Sequence, residues 1–369
     1  MKESFEPKAQ VQELEPQWEY PEKNATESFA KLFWLMGWVT DTAKGKIEKN
    51  KPTVDRTLGV RRERAKLFER FKQAKTKEEK KEILEEARER DRTLEKFVLQ
   101  KEITVKRDDI GEATVRYVDM KAPKEAEPKA PIVFIPGICN DLASVDTIVQ
   151  ELNVRGRRVV AFGYPSGVQG KMSNEFQDAV KELPGFEAHS RFFGTAIKEV
   201  MKDEQFELWG FSTGGPIVGE MLASQEIPSD QVERAVLLNP AASVKMSLKQ
   251  LWAGLAREVR HITEKNFAAY PFIYDSKTPR TAQDKKEKDS IFKVLCDRIC
   301  EPFTKWKDVR VKNGGEIVAV SAIDDKVTRC AEYFKEGNVG NHIKAIQVRG
   351  GHMAPAIDAG RILDAVDSK

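Results

Sequence analysis

The chain has 369 residues, 62 of them Lys or Arg and 59 Asp or Glu, for a formal net charge of +3. Charges this nearly balanced exclude any global electrostatic case for a nucleic-acid partner. Hydrophobic residues at 40% and charged residues at 33% describe a globular chain able to bury a sizeable core in one or two units.

Residues 1–19 are acidic and polar and lack the basic-then-apolar pattern of a secretory signal, so a cytoplasmic protein is expected. Residues 1–26 mix Glu, Lys, Pro and Gln with few apolar anchors and read as a mobile arm. Between Phe29 and Val39 lie Phe33, Trp34, Leu35, Met36 and Trp38. This apolar run is roughly half of the ~20 residues that a membrane span requires. It is a candidate for peripheral docking on a membrane surface or for packing against the rest of the chain. The pattern then turns helical up to about residue 100, with Leu67, Phe71, Ile83, Leu84 and Leu94 set in a charged stretch. Residues 1–100 are therefore expected to form an arm and an N-terminal helical extension.

Residues 101–369 carry a different period. Ile103 and Val105, then Ala113, Val115 and Tyr117, alternate on either side of Asp109-Ile110-Gly111, which predicts a hairpin. Short apolar runs follow at 132–135, 159–162, 206–209, 235–238, 317–320 and 343–348, of the kind that forms buried parallel strands. Between them lie amphipathic helical patterns, such as Leu142, Val145, Ile148, Val149 and Leu152. Strand and helix in alternation predict an α/β fold, a mostly parallel sheet with helices on both faces. The long interruption at 241–315 carries Leu248, Leu251, Trp252, Leu255 and Val259 at helical spacing and is expected to sit at the sheet edge as a helical cap.

The four cysteines, Cys139, Cys296, Cys300 and Cys330, are too scattered to form a disulfide framework and fit a reducing compartment. Cys296 and Cys300 lie four apart on a predicted helix, but no His or Cys cluster completes a metal site with them, so neither metal nor cofactor is expected.

The chemistry centres on Gly210-Phe211-Ser212-Thr213-Gly214. An apolar strand runs into a glycine-flanked serine and then into Ile217, Val218 and Met221 at helical spacing. A serine that presents its hydroxyl at the end of a sheet needs a strained turn, and small neighbours make room for the close approach of strand and helix. Pro216 falls in the first helical turn, where its missing N–H does no harm. A serine nucleophile needs a base and an acid. His352 follows the last predicted strand after Gly350-Gly351, whereas His342 precedes that strand and His189 and His261 fall in helical regions. The run 317–320 leads into Asp324 and Asp325; Asp324 is expected to be the acid, with Asp325 in reserve. The backbone N–H groups of Thr213 and Ile138, the latter after Pro136-Gly137, are the expected oxyanion donors.

With these parts in order, residues 102–369 resemble the α/β-hydrolase superfamily, and within it the capped esterases and monoacylglycerol lipases. The resemblance implies Ser212 as nucleophile, Asp324 as acid, His352 as base, and Ile138 with Thr213 at the oxyanion. It also implies a cap at the 241–315 insertion. The chain departs from many members in having Pro136-Gly137-Ile138-Cys139 where they carry His-Gly. The expected activity is hydrolysis of a small-molecule carboxylic ester or thioester, with Trp252, Phe267, Tyr270, Phe272 and Tyr274 as candidates to line an apolar acyl pocket. An amidase or peptidase, an acyltransferase, and a non-catalytic binding module that leaves these residues idle are the alternatives.

Overall fold

A computed structural model describes residues 8–13, several positions between 70 and 86, and residues 100–367 except 123–126, 139–147, 150, 154, 168–169, 229, 266–281, 312–313, 335–341 and 358. Residues 29–39, Cys139, and the aromatic residues Phe267, Tyr270, Phe272 and Tyr274 lie outside the described set. The described positions between 78 and 86 are helical.

Among the described residues, ten strands make one sheet. They are β1 (Lys8–Glu13), β2 (Gln100–Arg107), β3 (Gly111–Met120), β4 (Ile132–Ile135), β5 (Val159–Phe162), β6 (Lys171–Met172), β7 (Phe206–Phe211), β8 (Val232–Leu238), β9 (Ile317–Ala322) and β10 (Ile343–Val348). Their order is β1-β2-β3-β5-β4-β7-β8-β9-β10, with β6 paired to β3. The first strands are antiparallel, and from β5 through β10 every neighbour is parallel. The hairpin predicted from alternation is β2–β3: Ile103 and Val105 are buried, and the chain reverses at Gly111, whose φ of 76° suits glycine.

The edge strand β1 was not expected. Its sequence, Lys-Ala-Gln-Val-Gln-Glu, holds a single large apolar residue, Val11, so hydropathy alone reads it as arm. What makes it a strand is the backbone: β2 would otherwise offer an open edge, and Lys8 to Glu13 pair with Lys106 to Lys101 along it.

Strands β4, β5, β7 and β9 are buried at every position, the signature of a sheet covered on both faces. Their alternation divides the core in two. Val133, Ile135, Phe206 and Leu208 point to one side, where α1 (Asn174–Glu182), α2 (Glu187–Met201) and α3 (Gly214–Ala223) pack. Ile132, Phe134, Trp209 and Phe211 point to the other, against Ile148, Val149, Leu152 and the C-terminal helix α8 (Ala359–Asp367). The insertion between β8 and β9 carries α4 (Leu248–Lys265) and α5 (Ala282–Ile299), the helices of the expected cap, then a 3-10 turn (Thr304–Lys307). Two short helices, α6 (Cys330–Tyr333) and α7 (Ala354–Ile357), follow β9 and β10.

Strand order reverses where β4 lies between β5 and β7. In an open α/β sheet the crevice beyond the carboxyl ends of the strands, at such a reversal, is where ligands bind. The loops after β4, β7, β9 and β10 all open on that edge. At the opposite edge, the buried Glu207 accepts from Arg157 (2.5 Å), Arg234 (2.9 Å) and the Trp209 indole N–H (3.0 Å). Its charge is satisfied there as part of the framework.

Trp306 of the 3-10 turn is buried between Phe303 and Phe334, in edge contact with both rings (centroids 4.7 and 5.3 Å). It also closes on Gly219 of α3, where a Cβ would fall 3.1 Å from its ring. Trp306→Ala should cost about 3–5 kcal/mol. Urea unfolding should show a lower midpoint with an unchanged m-value.

Candidate active site

Ser212 stands between β7 and α3 with φ of +54°, in the left-handed region that a residue with a side chain seldom occupies. Its backbone is pinned there. The Ser212 N–H donates to the Leu238 carbonyl (2.9 Å), and its own carbonyl accepts from Gly215 (3.0 Å) and Ala241 (2.8 Å). The flanking glycines answer to sterics rather than to conformational freedom. A Cβ on Gly214 would overlap the Ile135 carbonyl oxygen, one on Gly210 would overlap the Gly214 carbonyl, and one on Gly215 would lie 2.6 Å from Pro240 Cβ. The strand, the turn and the helix can come this close only because those positions have no side chain.

The turn aims the hydroxyl at an imidazole. His352 Nε2 lies 2.9 Å from Ser212 Oγ, and His352 Nδ1 lies 2.9 Å from Asp325 Oδ2. A carboxylate can only accept, so Nδ1 carries the proton, and Nε2 is left with a lone pair facing the hydroxyl. Phe211 lies against the imidazole with ring centroids 5.3 Å apart. All three polar residues are buried: Ser212 is 6% exposed, His352 5% and Asp325 3%.

The position of the carboxylate corrects one expectation. Asp324 is exposed, and its backbone N–H donates to the Gly350 carbonyl (3.0 Å). Asp325 is the residue turned inward. After β9 the chain closes a tight turn, with the Asp325 N–H on the Ala322 carbonyl (3.1 Å), and this rotates Asp324 out and Asp325 in. Asp325 Oδ1 then accepts from the N–H groups of Val327 (2.7 Å) and Thr328 (3.0 Å), and Oδ2 accepts from the Thr328 hydroxyl (2.6 Å) besides His352. The Cys330 thiol approaches the same oxygen at 3.6 Å.

Burial works against charge on both partners, but their mutual attraction and hydrogen bonds prevail. Asp325 is held below the ordinary carboxylate range by the His352 charge and the donors around it. Burial pulls His352 down, yet the charge and hydrogen bond of Asp325 and the further charge of Glu258 raise it above its ordinary value. His342 and His189 do not join them. His342 Nε2 faces the Trp306 carbonyl (3.3 Å), and His189 is buried against the rings of Tyr164 and Phe176.

Of the two expected oxyanion donors, Thr213 opens α3, where the first-turn N–H groups are not committed to the helix and the dipole favours negative charge. The loop carrying Ile138 leaves β4 directly against the elbow, since Ile135 and Pro136 present their carbonyls to Gly214. Trp252 is 50% exposed and packs on Phe292 of α5 (ring centroids 6.0 Å), so it belongs to the outer surface of the cap.

A parallel sheet with this strand order, a left-handed serine at the sharp turn after its central strand, and an Asp and a His after two later strands identify the architecture. This is the α/β-hydrolase fold. No protein-family model matches the chain, and no curated protein does. Solved structures of α/β-hydrolases align with it. One is an N-formylmaleamic acid deformylase from Pseudomonas putida, at 12% identity over 69% of this chain and 96% of that one, with a TM-score of 0.49. Another is a probable hydrolytic enzyme from Pseudomonas aeruginosa, at 15% identity over 69% and 89%, with a TM-score of 0.49. A third is a membrane phospholipase A described as a bacterial virulence factor, at 14% identity over 72% and 86%, with a TM-score of 0.47. Strand order and elbow geometry define the fold.

Asn239, at the end of β8, escaped the sequence reading. Its side-chain amide donates to the His352 carbonyl (2.7 Å), and its oxygen accepts the Ala322 N–H (2.7 Å), so one buried side chain ties the ends of β8 and β9 to the histidine loop. Its φ of +43° is of a kind that Asn tolerates, and an Asn closing an apolar strand was the signal available. Among the described residues, no helix is long and apolar enough to cross a membrane, and no cluster of three or more His, Cys, Asp and Glu could hold a metal ion. Cys296, Cys300 and Cys330 are free and buried.

The backbone conformation of Ser212 has a measurable cost. Ser212→Gly and Ser212→Ala both remove the hydroxyl, but only alanine keeps the left-handed strain, worth about 1 kcal/mol or more. The glycine variant should be the more stable of the two in chemical denaturation, the reverse of the usual order.

Proposed function

We propose that the protein is a serine hydrolase that cleaves a carboxylic ester or thioester through an acyl-enzyme on Ser212. The observation that carries this reading is the unbroken hydrogen-bond chain from Ser212 Oγ through His352 to Asp325, buried at the carboxyl edge of the sheet.

In the first half-reaction His352 Nε2 takes the Ser212 proton while Oγ bonds to the substrate carbonyl carbon. The electron pair displaced onto the carbonyl oxygen is met by the N–H groups of Thr213 and Ile138. Collapse of this intermediate breaks the bond to the alkoxide or thiolate, which leaves with the proton from Nε2. Water then repeats the sequence on the acyl-enzyme: His352 takes a proton from it, its oxygen bonds to the acyl carbon, and Ser212 recovers its proton as the acid departs. Asp325 stays ionised throughout and stabilises the imidazolium at each step. An apolar acyl group suits a site roofed by a helical cap. The peptide bond of an amidase substrate, or an acceptor other than water, would pass through the same residues.

A fluorophosphonate should label Ser212 in the folded protein and fail to label Ser212→Ala. Absence of labelling in the native chain would overturn the enzyme reading in favour of a binding module. p-Nitrophenyl esters of graded chain length should be hydrolysed by the native chain, with kcat/KM rising towards longer acyl groups. The two aspartates should separate cleanly, with Asp325→Asn lowering kcat by roughly 10⁴-fold and Asp324→Asn leaving it near the native value. Since the neutral imidazole is the base and its pKa is raised, the acid limb of kcat/KM should lie above the ordinary histidine value of 6.5, with activity lost as the pH falls through it.

A further inference from the structure

The cap helix α4 touches both loops that carry the partners of Ser212. At Gly254 its backbone meets the acid loop so closely that a Cβ would overlap the Lys326 carbonyl and lie 2.9 Å from Val327 Cα. One turn further along, on the same face, Glu258 meets the base loop. Its Oε1 accepts the Met353 N–H at 2.7 Å, and Gly351 faces the carboxylate so closely that a Cβ would overlap Oε2. Glu258 therefore grips the residues on both sides of His352, and it is 6% exposed.

The acyl-transfer scheme gives this side chain no task. A neutral glutamine could accept from Met353 equally well, while a buried carboxylate carries a desolvation cost that the loop contact alone does not require. What the charge adds is an electrostatic bias toward the imidazolium. We infer that Glu258 is a positioning residue for the base: the cap fixes the His352 loop through the Met353 N–H and sets a second carboxylate beside the imidazole. The inference rests on the reading of His352 as the base. It makes the cap part of the proton-transfer machinery, because a cap that lifts away withdraws that carboxylate.

Among the described residues, the groups around His352 are few. Asp325 faces Nδ1 from the loop after β9, with the Cys330 thiol of α6 behind it, and Ser212 faces Nε2 from the elbow. Arg361 of α8 lies at the outer end of the base loop, where its guanidinium donates to the Arg349 carbonyl (2.7 Å). Glu258 comes from the cap. Of these, Asp325 and Glu258 oppose the effect of burial on the imidazole.

The test follows the His352 imidazole by NMR titration in the full-length protein and, alongside it, the pH profile of kcat/KM on the p-nitrophenyl ester that the native chain turns over fastest. Glu258→Gln keeps the acceptor and drops the charge. It should move the His352 titration and the acid limb to lower pH and lower kcat about 10-fold, with KM nearly unchanged. Glu258→Ala loses both functions and should also raise KM. If Glu258→Gln folds poorly, Glu258→Asp keeps the charge and should retain an acid limb near the native one. A Gln variant that titrates as the native chain does, or an Asp variant that loses the raised limb, would overturn the inference and leave Glu258 a structural tie. The titration needs no turnover, so an inactive native chain would sink the Ser212 reading while Glu258 was still tested.

Discussion

The site depends on one backbone conformation. Ser212 holds a positive φ only because its N–H is fixed by the end of β8 and its carbonyl by Gly215 and Ala241. That clamp requires β4, β7, β8 and α3 to meet within contact distance, which in turn requires glycine at 210, 214 and 215. If the clamp is released, the hydroxyl swings away from His352. The same approach brings the loop after β4 against the start of α3, so residues 136–138 and Ser212 are positioned by a single packing event. Strain of about 1–3 kcal/mol is a cost that a sheet buried on both faces can carry.

Around this fixed point the electrostatics are arranged asymmetrically. The imidazole has the Ser212 hydroxyl on one side and the Asp325 carboxylate on the other. Burial disfavours charge throughout, and it is overcome where opposite charges and donors converge, at Asp325 and His352. Asn239 adds the mechanical counterpart, because a neutral amide ties the histidine loop to the sheet without altering that balance.

The sequence made the framework legible where the physics is local. Fully apolar runs such as 132–135 and 159–162 marked the central strands, since a strand buried on both faces has no polar alternative. The glycines around Ser212 and the pair before His352 pointed to the elbow and to the histidine that faces it. The choice between Asp324 and Asp325 was not legible. Adjacent residues in a turn point in nearly opposite directions, and one hydrogen bond, from Asp325 N–H to the Ala322 carbonyl, decides which faces the imidazole. Glu258 was hidden because its partner is a backbone N–H in a loop nearly a hundred residues away, and β1 was hidden because its stability comes from a neighbouring strand's edge. Long-range contact is the cause shared by the last two.

His189, buried among aromatic rings, has a consequence for the proton balance of folding. Burial, and secondarily the charge of Arg298, push it down to about 3 from an ordinary 6.5. The folded chain therefore refuses a proton that the unfolded chain accepts below pH 6.5, and this ring's contribution to stability, full above that value, drains away at up to about 1.4 kcal/mol per pH unit as the pH falls toward 3. His352 works in the opposite sense. Its raised value gives stability that is complete below 6.5 and lost as the pH rises through the folded-state value. The two buried imidazoles thus act in adjoining windows, one eroding stability below pH 6.5 and the other above it, and a substitution that relieves one leaves the loss on the other side unchanged.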